Sequence, residues 1–173
     1  MVIWITGMSG SGKTTLAVAL RNLVKPAHQH TVLLDGDAIR AAFGSGLGYS
    51  EPERVTQIQR IQNFAKVLAD QELIVIVAAL YAHKDLLTWN RHNFPGYFEV
   101  YLEASKALLK RRDQKNLYSK ARFGKIKDVV GIDIPWHAPE NPDCLFKADS
   151  ETDPGEMARQ VVQKIPALAE VLT

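Results

Sequence analysis

The residues with the clearest chemical potential lie at the start of the chain, in the run Gly7-Met8-Ser9-Gly10-Ser11-Gly12-Lys13-Thr14. Two glycines separated by four residues and followed by Lys and Thr form the P-loop pattern, and here it falls between an apolar run and a helical one, as phosphate binding requires. The glycines let consecutive backbone N–H groups turn inward around phosphate oxygens, and the following helix adds the positive end of its dipole. Contacts to ATP are therefore expected from Gly7, Ser9, Gly10, Ser11, Gly12, Lys13, Thr14 and Thr15. Lys13 is expected to reach the β- and γ-phosphates and so take part in catalysis, and the Thr14 hydroxyl to ligate Mg²⁺. A glycine turn that only joined a strand to a helix would need neither Lys13 nor Thr14.

A P-loop specifies a phosphoryl donor site without specifying the reaction. The chain has no Asn-Lys-x-Asp segment to read guanine, and its 173 residues are too few for a motor or transporter ATPase. Small-molecule and nucleotide kinases remain. The acceptor side is then sought in Asp35-Gly36-Asp37, at the end of a second short apolar run. In a doubly wound sheet that position opens onto the ligand crevice. Asp37 is placed to accept a proton from an attacking hydroxyl, or to orient that hydroxyl and hold Mg²⁺ through water.

These residues need a scaffold, and the apolar pattern predicts one. Val2 to Thr6 reads as a strand and Lys13 to Val24 as a helix, with a second strand over Thr31 to Leu34. From Glu51, the residues Val55, Ile58, Ile61, Ala65 and Leu68 recur three or four apart, one face of a long helix capped at or near Ser50. Leu73 to Ala79 is a continuous apolar run suited to a strand buried on both faces. Another helix then precedes a strand over Tyr97 to Leu102, and Ser105 to Arg112 is helical. Leu145 to Lys147 returns to the sheet, and Pro154 to Leu172 is expected to close the chain as one helix. Strands alternating with helices predict an α/β fold of the P-loop NTPase type, a three-layer sandwich around a mainly parallel sheet. Arg111 to Pro142 breaks the rhythm with Lys, Arg, Gly and Pro, and is expected to be a mobile lid over the site.

The bulk numbers narrow the setting. A chain of this length with 46% apolar residues is expected to form one domain over residues 1–173. Its 21 basic and 19 acidic residues are spread along the chain and leave a formal charge of +2, which offers no footprint for nucleic acid. The lone Cys144 cannot form an internal disulfide, Met1 to Thr6 is followed by glycines rather than a signal-peptide core, and no apolar stretch approaches the roughly 20 residues of a membrane span. A cytoplasmic protein with neither a nucleic-acid nor a membrane partner is expected.

Over nearly its whole length the chain resembles the adenylyl-sulfate kinase family, which phosphorylates the ribose 3′-hydroxyl of adenylyl sulfate. The resemblance rests on Gly7 to Thr15, on Leu34-Asp-Gly-Asp-Ala-Ile-Arg40 and on Leu47-Gly-Tyr-Ser-Glu-Pro-Glu-Arg54. It continues through Arg112-Asp-Gln-Lys-Asn-Leu-Tyr-Ser-Lys-Ala-Arg122, Gly131-Ile-Asp-Ile-Pro135 and Ala138-Pro-Glu-Asn-Pro142, all in the family's order. It implies ATP and Mg²⁺ as cofactors and a small nucleotide as acceptor, and it leaves a homodimer open. It gives Asp37 the catalytic carboxylate role, Arg40 and Arg54 the acceptor's anionic bridge, and Tyr49 the ring that stacks on its base. Lys115, in the lid segment, would approach the phosphates on closure. The resemblance also places Gln57, Leu117, Val129 and Ile132 around the acceptor.

The departures from the family pattern fall on the acceptor side. Val129-Val-Gly-Ile132 stands where the family has Phe-Thr-Gly-Ile, so one of two stacking aromatics is missing. Gln57-Ile-Gln-Arg60 stands for Asn-Ile-Arg-Arg, Leu80-Tyr-Ala-His-Lys84 for Ile-Ser-Pro-Tyr-Arg, and Lys115-Asn-Leu-Tyr118 for Lys-Gly-Leu-Tyr. Base stacking is worth roughly 1–3 kcal/mol, so the loss of one face weakens acceptor binding about tenfold or more unless the pocket is rebuilt. Adenylyl sulfate is the leading acceptor. The alternative is cytidine diphosphoramidate, the acceptor of similar kinases in capsule biosynthesis, and a regulator that binds nucleotide without turnover is a third reading.

Overall fold

A computed structural model describes residues 1–44, 46–113 and 116–172. Five strands form one sheet: β1 (Val2–Gly7), β2 (Thr31–Asp35), β3 (Ile74–Ala79), β4 (Tyr97–Glu103) and β5 (Cys144–Lys147). Their order is β2-β3-β1-β4-β5, and every neighbouring pair is parallel. Helices α1 (Lys13–Val24), α2 (Gly36–Ala42), α3 (Glu51–Ala69), α4 (Lys84–Asn93), α5 (Lys106–Arg111), α6 (Leu117–Arg122) and α7 (Pro154–Gln163) complete the described fold.

The strict two-residue period of β1 builds both cores. Val2 and Trp4 face Ile58, Ile61 and Ala65 of α3 and Leu86 and Leu87 of α4. Ile3 and Ile5 face Leu16, Ala17 and Leu20 of α1 and Val161 and Val162 of α7. A strand apolar on both faces has to sit in the middle of a sandwich, which is why β1 is central and its carboxyl end, the phosphate loop, lies mid-sheet.

Two elements differ from the sequence expectation. Helix α2 begins inside Asp35-Gly36-Asp37, with the Asp35 side chain accepting from the N–H groups of Asp37 and Ala38 as N-cap. At the other end α7 stops at Gln163 and the chain continues as a separate 3-10 segment, Pro166–Leu172. Pro166 has no N–H to give the preceding turn and disfavours helical geometry at Ile165. Within 111–142 the described residues include α6 and a bridge between Val130 and Ile134. Among the described residues no helix is long and apolar enough to cross a membrane.

The junction of β1 and the phosphate loop tolerates no side chain. A Cβ on Gly7, whose φ is +155°, would lie 2.6 Å from the Leu102 carbonyl oxygen and 2.6 Å from Ser11 Oγ. Gly7→Ala is therefore expected to destabilise the fold by about 2 kcal/mol or more. Urea denaturation checks this: an unchanged midpoint would show that the loop can move away from β4.

Candidate functional site

A cavity of about 930 Å³ opens at the carboxyl ends of the central strands. Ser9 to Thr15 line one end, Arg40, Tyr49, Arg54 and Gln57 line another part, and Asp35 to Asp37 are on its wall as well. The structure thus brings together Ser9, Gly10, Ser11, Gly12, Lys13, Thr14, Thr15, Asp37, Arg40, Tyr49, Arg54, Gln57, Leu117 and Val129 from the sequence expectation. Gly7 is not on the wall; its part is the close approach to β4. Lys115 lies outside the described residues.

At the donor end Gly12 adopts φ +103°, a left-handed turn that an L side chain would resist, and leads directly into α1. Lys13 Nζ donates to the Met8 carbonyl at 2.9 Å, holding the loop closed around its own cation. Burial pushes the Lys13 ammonium down to about 8, against the opposing pull of the Asp37 and Asp35 carboxylates. Thr14 Oγ1 donates to Asp35 Oδ2 at 2.7 Å, while Asp35 Oδ1 accepts from Asp37 N at 2.9 Å and Ala38 N at 3.3 Å. One carboxylate therefore joins the phosphate loop to the helix that carries Asp37 and Arg40. With its proton directed at Asp35, the Thr14 oxygen keeps lone pairs for a hard cation, so the oxygen donors present suit Mg²⁺.

At the acceptor end the arginines are held by backbone. Arg40 Nη1 donates to Gly48 O at 2.7 Å and to Leu47 O at 3.2 Å, and Arg54 Nη2 donates to Asp128 O at 2.7 Å. Their guanidinium carbons lie 4.6 and 5.5 Å from the centre of the Tyr49 ring, which is 56% exposed. Glu53 shapes the turn bearing Tyr49 by accepting from Gly48 N at 2.8 Å, from Ser50 N at 3.1 Å and from the Ser50 hydroxyl. Burial and then the neighbouring Arg40 push the Arg54 guanidinium below its ordinary value.

Gln57 is 4% exposed, and among the described residues neither atom of its amide has a hydrogen-bond partner and the buried Arg54 Nε has none either. Unpaired buried polar groups cost about 1–3 kcal/mol each, and both residues are on the cavity wall. Val129, 2% exposed, lines the cavity while packing with Leu109 and Tyr118.

Ile132 does not join them. It is 42% exposed and lines a separate small pocket with Met8 and Tyr118. The reason is the turn after Val129: the Asp133 carboxylate accepts from Asp128 N and Val129 N, Ile134 N donates to Val129 O at 3.2 Å, and Gly131 takes φ +90°. Val129 is thereby turned inward and Ile132 outward.

Tyr81 and Arg112 of the cavity wall, and Tyr118 beside the phosphate loop, were not given a role from the sequence. Tyr81 lines the cavity and donates to Glu51 Oε1 at 2.6 Å. Arg112 Nη1 lies 3.9 Å from where a Cβ of Gly12 would stand, beside the phosphate loop. Tyr118 donates to the Ser9 carbonyl at 2.9 Å and pins that loop to α6. Arg112 and Tyr118 lie in a block that matches the family pattern, but nothing local assigns either a contact, because their role comes from tertiary proximity.

Known proteins resemble this chain in sequence and in fold. The family model for adenylylsulphate kinase matches residues 1–147. The adenylyl-sulfate kinase of Vibrio cholerae is 42% identical over 171 residues, covering 98% of this chain and 78% of that protein. That of Pseudomonas aeruginosa is 38% identical over 163 residues, covering 93% and 83%. Among solved structures, the Mycobacterium tuberculosis APS kinase CysC in complex with AMPPNP and APS superposes with a TM-score of 0.86 at 32% identity, over 94% of this chain and 95% of that one. The shikimate kinase of Aquifex aeolicus, at 16% identity and a TM-score of 0.56, shares the fold. A family model over residues 1–147 and relatives 38% and 42% identical over more than nine-tenths of the chain place this protein in the adenylylsulphate kinase family.

Proposed function

We propose that the chain transfers the γ-phosphoryl group of ATP to the ribose 3′-hydroxyl of adenylyl sulfate. The observation that carries the reading is a single cavity with the phosphate loop, Asp37 and the Arg40–Tyr49–Arg54 group on its walls. The M. tuberculosis structure, with AMPPNP and APS bound to a similar chain, supports it.

Lys13 and the loop N–H groups bind the β- and γ-phosphates, and Thr14 holds Mg²⁺, with Asp35 fixing the Thr14 hydroxyl. The metal supplies neutralisation of phosphate charge. Asp37 takes the proton of the 3′-hydroxyl as its oxygen attacks the γ-phosphorus; the bond to the β-phosphate oxygen breaks and ADP leaves. Arg40 and Arg54 pair with the anionic bridge of the acceptor, and Tyr49 stacks on its base. Gln57 offers its free amide to the acceptor, and Leu117 and Val129 supply apolar contact. Lys115 approaches the phosphates on the family resemblance alone, and a lid over 111–142 would exclude water from the reaction.

Lys13 gives the donor half a pH signature. In the free protein its pKa is about 8, and the negative charge of bound ATP raises it. Binding strength is then full at low pH and falls once pH rises past the free-protein value, by up to about tenfold per pH unit. Calorimetric titration of ATP from about pH 7 to about pH 9.5 is expected to show this decline with proton uptake on binding. A constant affinity with no proton uptake would contradict a buried Lys13 contacting phosphate.

The acceptor is tested at Val129, where the missing aromatic leaves one stacking face. If adenylyl sulfate is the acceptor, Val129→Phe restores the second face and raises kcat/KM for it by about tenfold. If the pocket is refitted for a cytidine nucleotide, the same change crowds the smaller base and lowers kcat/KM for a cytidine diphosphate derivative. Steady-state ADP release with both acceptors, in wild type and variant, decides between these opposite signs. An unchanged kcat/KM for both would remove Val129 from the base pocket.

A further inference from the structure

Behind the phosphate loop lies a second pocket of about 220 Å³, roughly a quarter of the main cavity's volume. Its wall is formed by Met8, Leu109, Tyr118, Gly131 and Ile132, and by three cations, Lys106, Lys110 and Arg122. Lys106 and Lys110 stand four apart on one face of α5, and Arg122 ends α6. Among the described residues none of these three side chains has a hydrogen bond, ion pair or ring contact. The nearby Asp113 is turned to the start of α6, where it accepts from Tyr118 N at 2.8 Å and Ser119 N at 2.9 Å.

Three like charges at one mouth repel each other, and among the described residues no carboxylate is ion-paired with any of them. Solvated surface cations are ordinary, but these surround a concave apolar floor, with Leu109 and Tyr118 buried and Met8 reaching in from the phosphate loop. Met8 packs so closely on Gly131 that a Cβ there would meet its Cε, so the floor is shaped by tertiary packing. An apolar floor under a cationic rim matches a small molecule with an apolar body and an anionic head, for which Arg122 offers a planar fork and the two lysines offer point charges.

We infer that this pocket binds a small organic phosphate or sulfate ester, at a site separate from the donor and acceptor cavity. The bound molecule lies against Met8, whose carbonyl accepts from Lys13 at 2.9 Å, and against Tyr118, which holds the Ser9 carbonyl. It therefore touches the back of the loop whose front holds ATP. The volume admits a monoaryl ester and not a whole nucleotide, which needs a cavity of the usual ligand size of about 300 Å³ or more.

The test uses phenyl phosphate as the probe, titrated calorimetrically into full-length protein saturated with Mg²⁺ and AMPPNP, so that the phosphate loop is already filled. Wild type is expected to bind it saturably and more tightly than inorganic phosphate. The Lys106→Gln/Lys110→Gln/Arg122→Gln variant is expected to bind at least about tenfold more weakly, and Arg40→Gln/Arg54→Gln to bind as wild type does. Should the triple variant fail to fold, Lys110→Gln alone is expected to weaken binding about threefold. The inference is overturned if wild type shows no saturable binding or favours inorganic phosphate. It is equally overturned if the pocket variants bind as wild type does, or if binding is lost in the Arg40/Arg54 variant instead. Kinase turnover with adenylyl sulfate is a separate readout, so failure of this site leaves the proposed activity standing, and the reverse.

Discussion

The contact on which the site depends is the hydrogen bond from Thr14 to Asp35, because the same carboxylate caps α2. Thr14 begins the helix after the phosphate loop, and Asp37 and Arg40 belong to α2. One side chain at the end of β2 thus sets where Asp37 stands relative to the phosphate loop. A charge-assisted hydrogen bond contributes about 1.5–3 kcal/mol and a helix N-cap about 1 kcal/mol. Those sums are small beside the cost of a misplaced base: an error of about 1 Å in a reacting geometry can slow a reaction by about a hundredfold. Position, more than stability, is what Asp35 supplies.

Around that joint the cavity is built ahead of any ligand. Arg40 and Arg54 are oriented by backbone carbonyls, and Glu53 clamps the turn that presents Tyr49. Oriented side chains have little rotamer freedom left to lose, which lowers the cost of binding. Among the described residues, Gln57 and Arg54 Nε are buried without partners on the wall of this cavity. Lys13 follows a similar logic. Its burial disfavours the charged form, a penalty that a polyphosphate bound there, as proposed, would offset.

The sheet was legible in the sequence because each strand is a short apolar run bounded by turn residues, and α1 because its period and its glycine entrance coincide. The phosphate loop was legible as a local pattern whose function depends on contiguous backbone. Helix α2 was not, since Asp-Gly-Asp is good turn chemistry and only the structure reveals Asp35 acting as a cap. The end of α7 follows from Pro166, a signal that was in plain view and outweighed by the apolar period around it. Ile132 was placed in the acceptor site by resemblance, whereas the Asp133-stabilised turn sends it outward. The isolation of the Gln57 amide and the Tyr118–Ser9 contact are tertiary facts with no local signature.

In the proposed reaction Asp37 serves the chemical step while Lys13 and the loop serve ATP binding. Asp37→Asn conserves shape and removes the charge, so comparing its kcat with its affinity for ATP separates the two roles. The account predicts a fall in kcat of at least about a hundredfold with ATP affinity within about threefold of wild type. Equal loss of ATP affinity, or undiminished turnover in the folded variant, would contradict it.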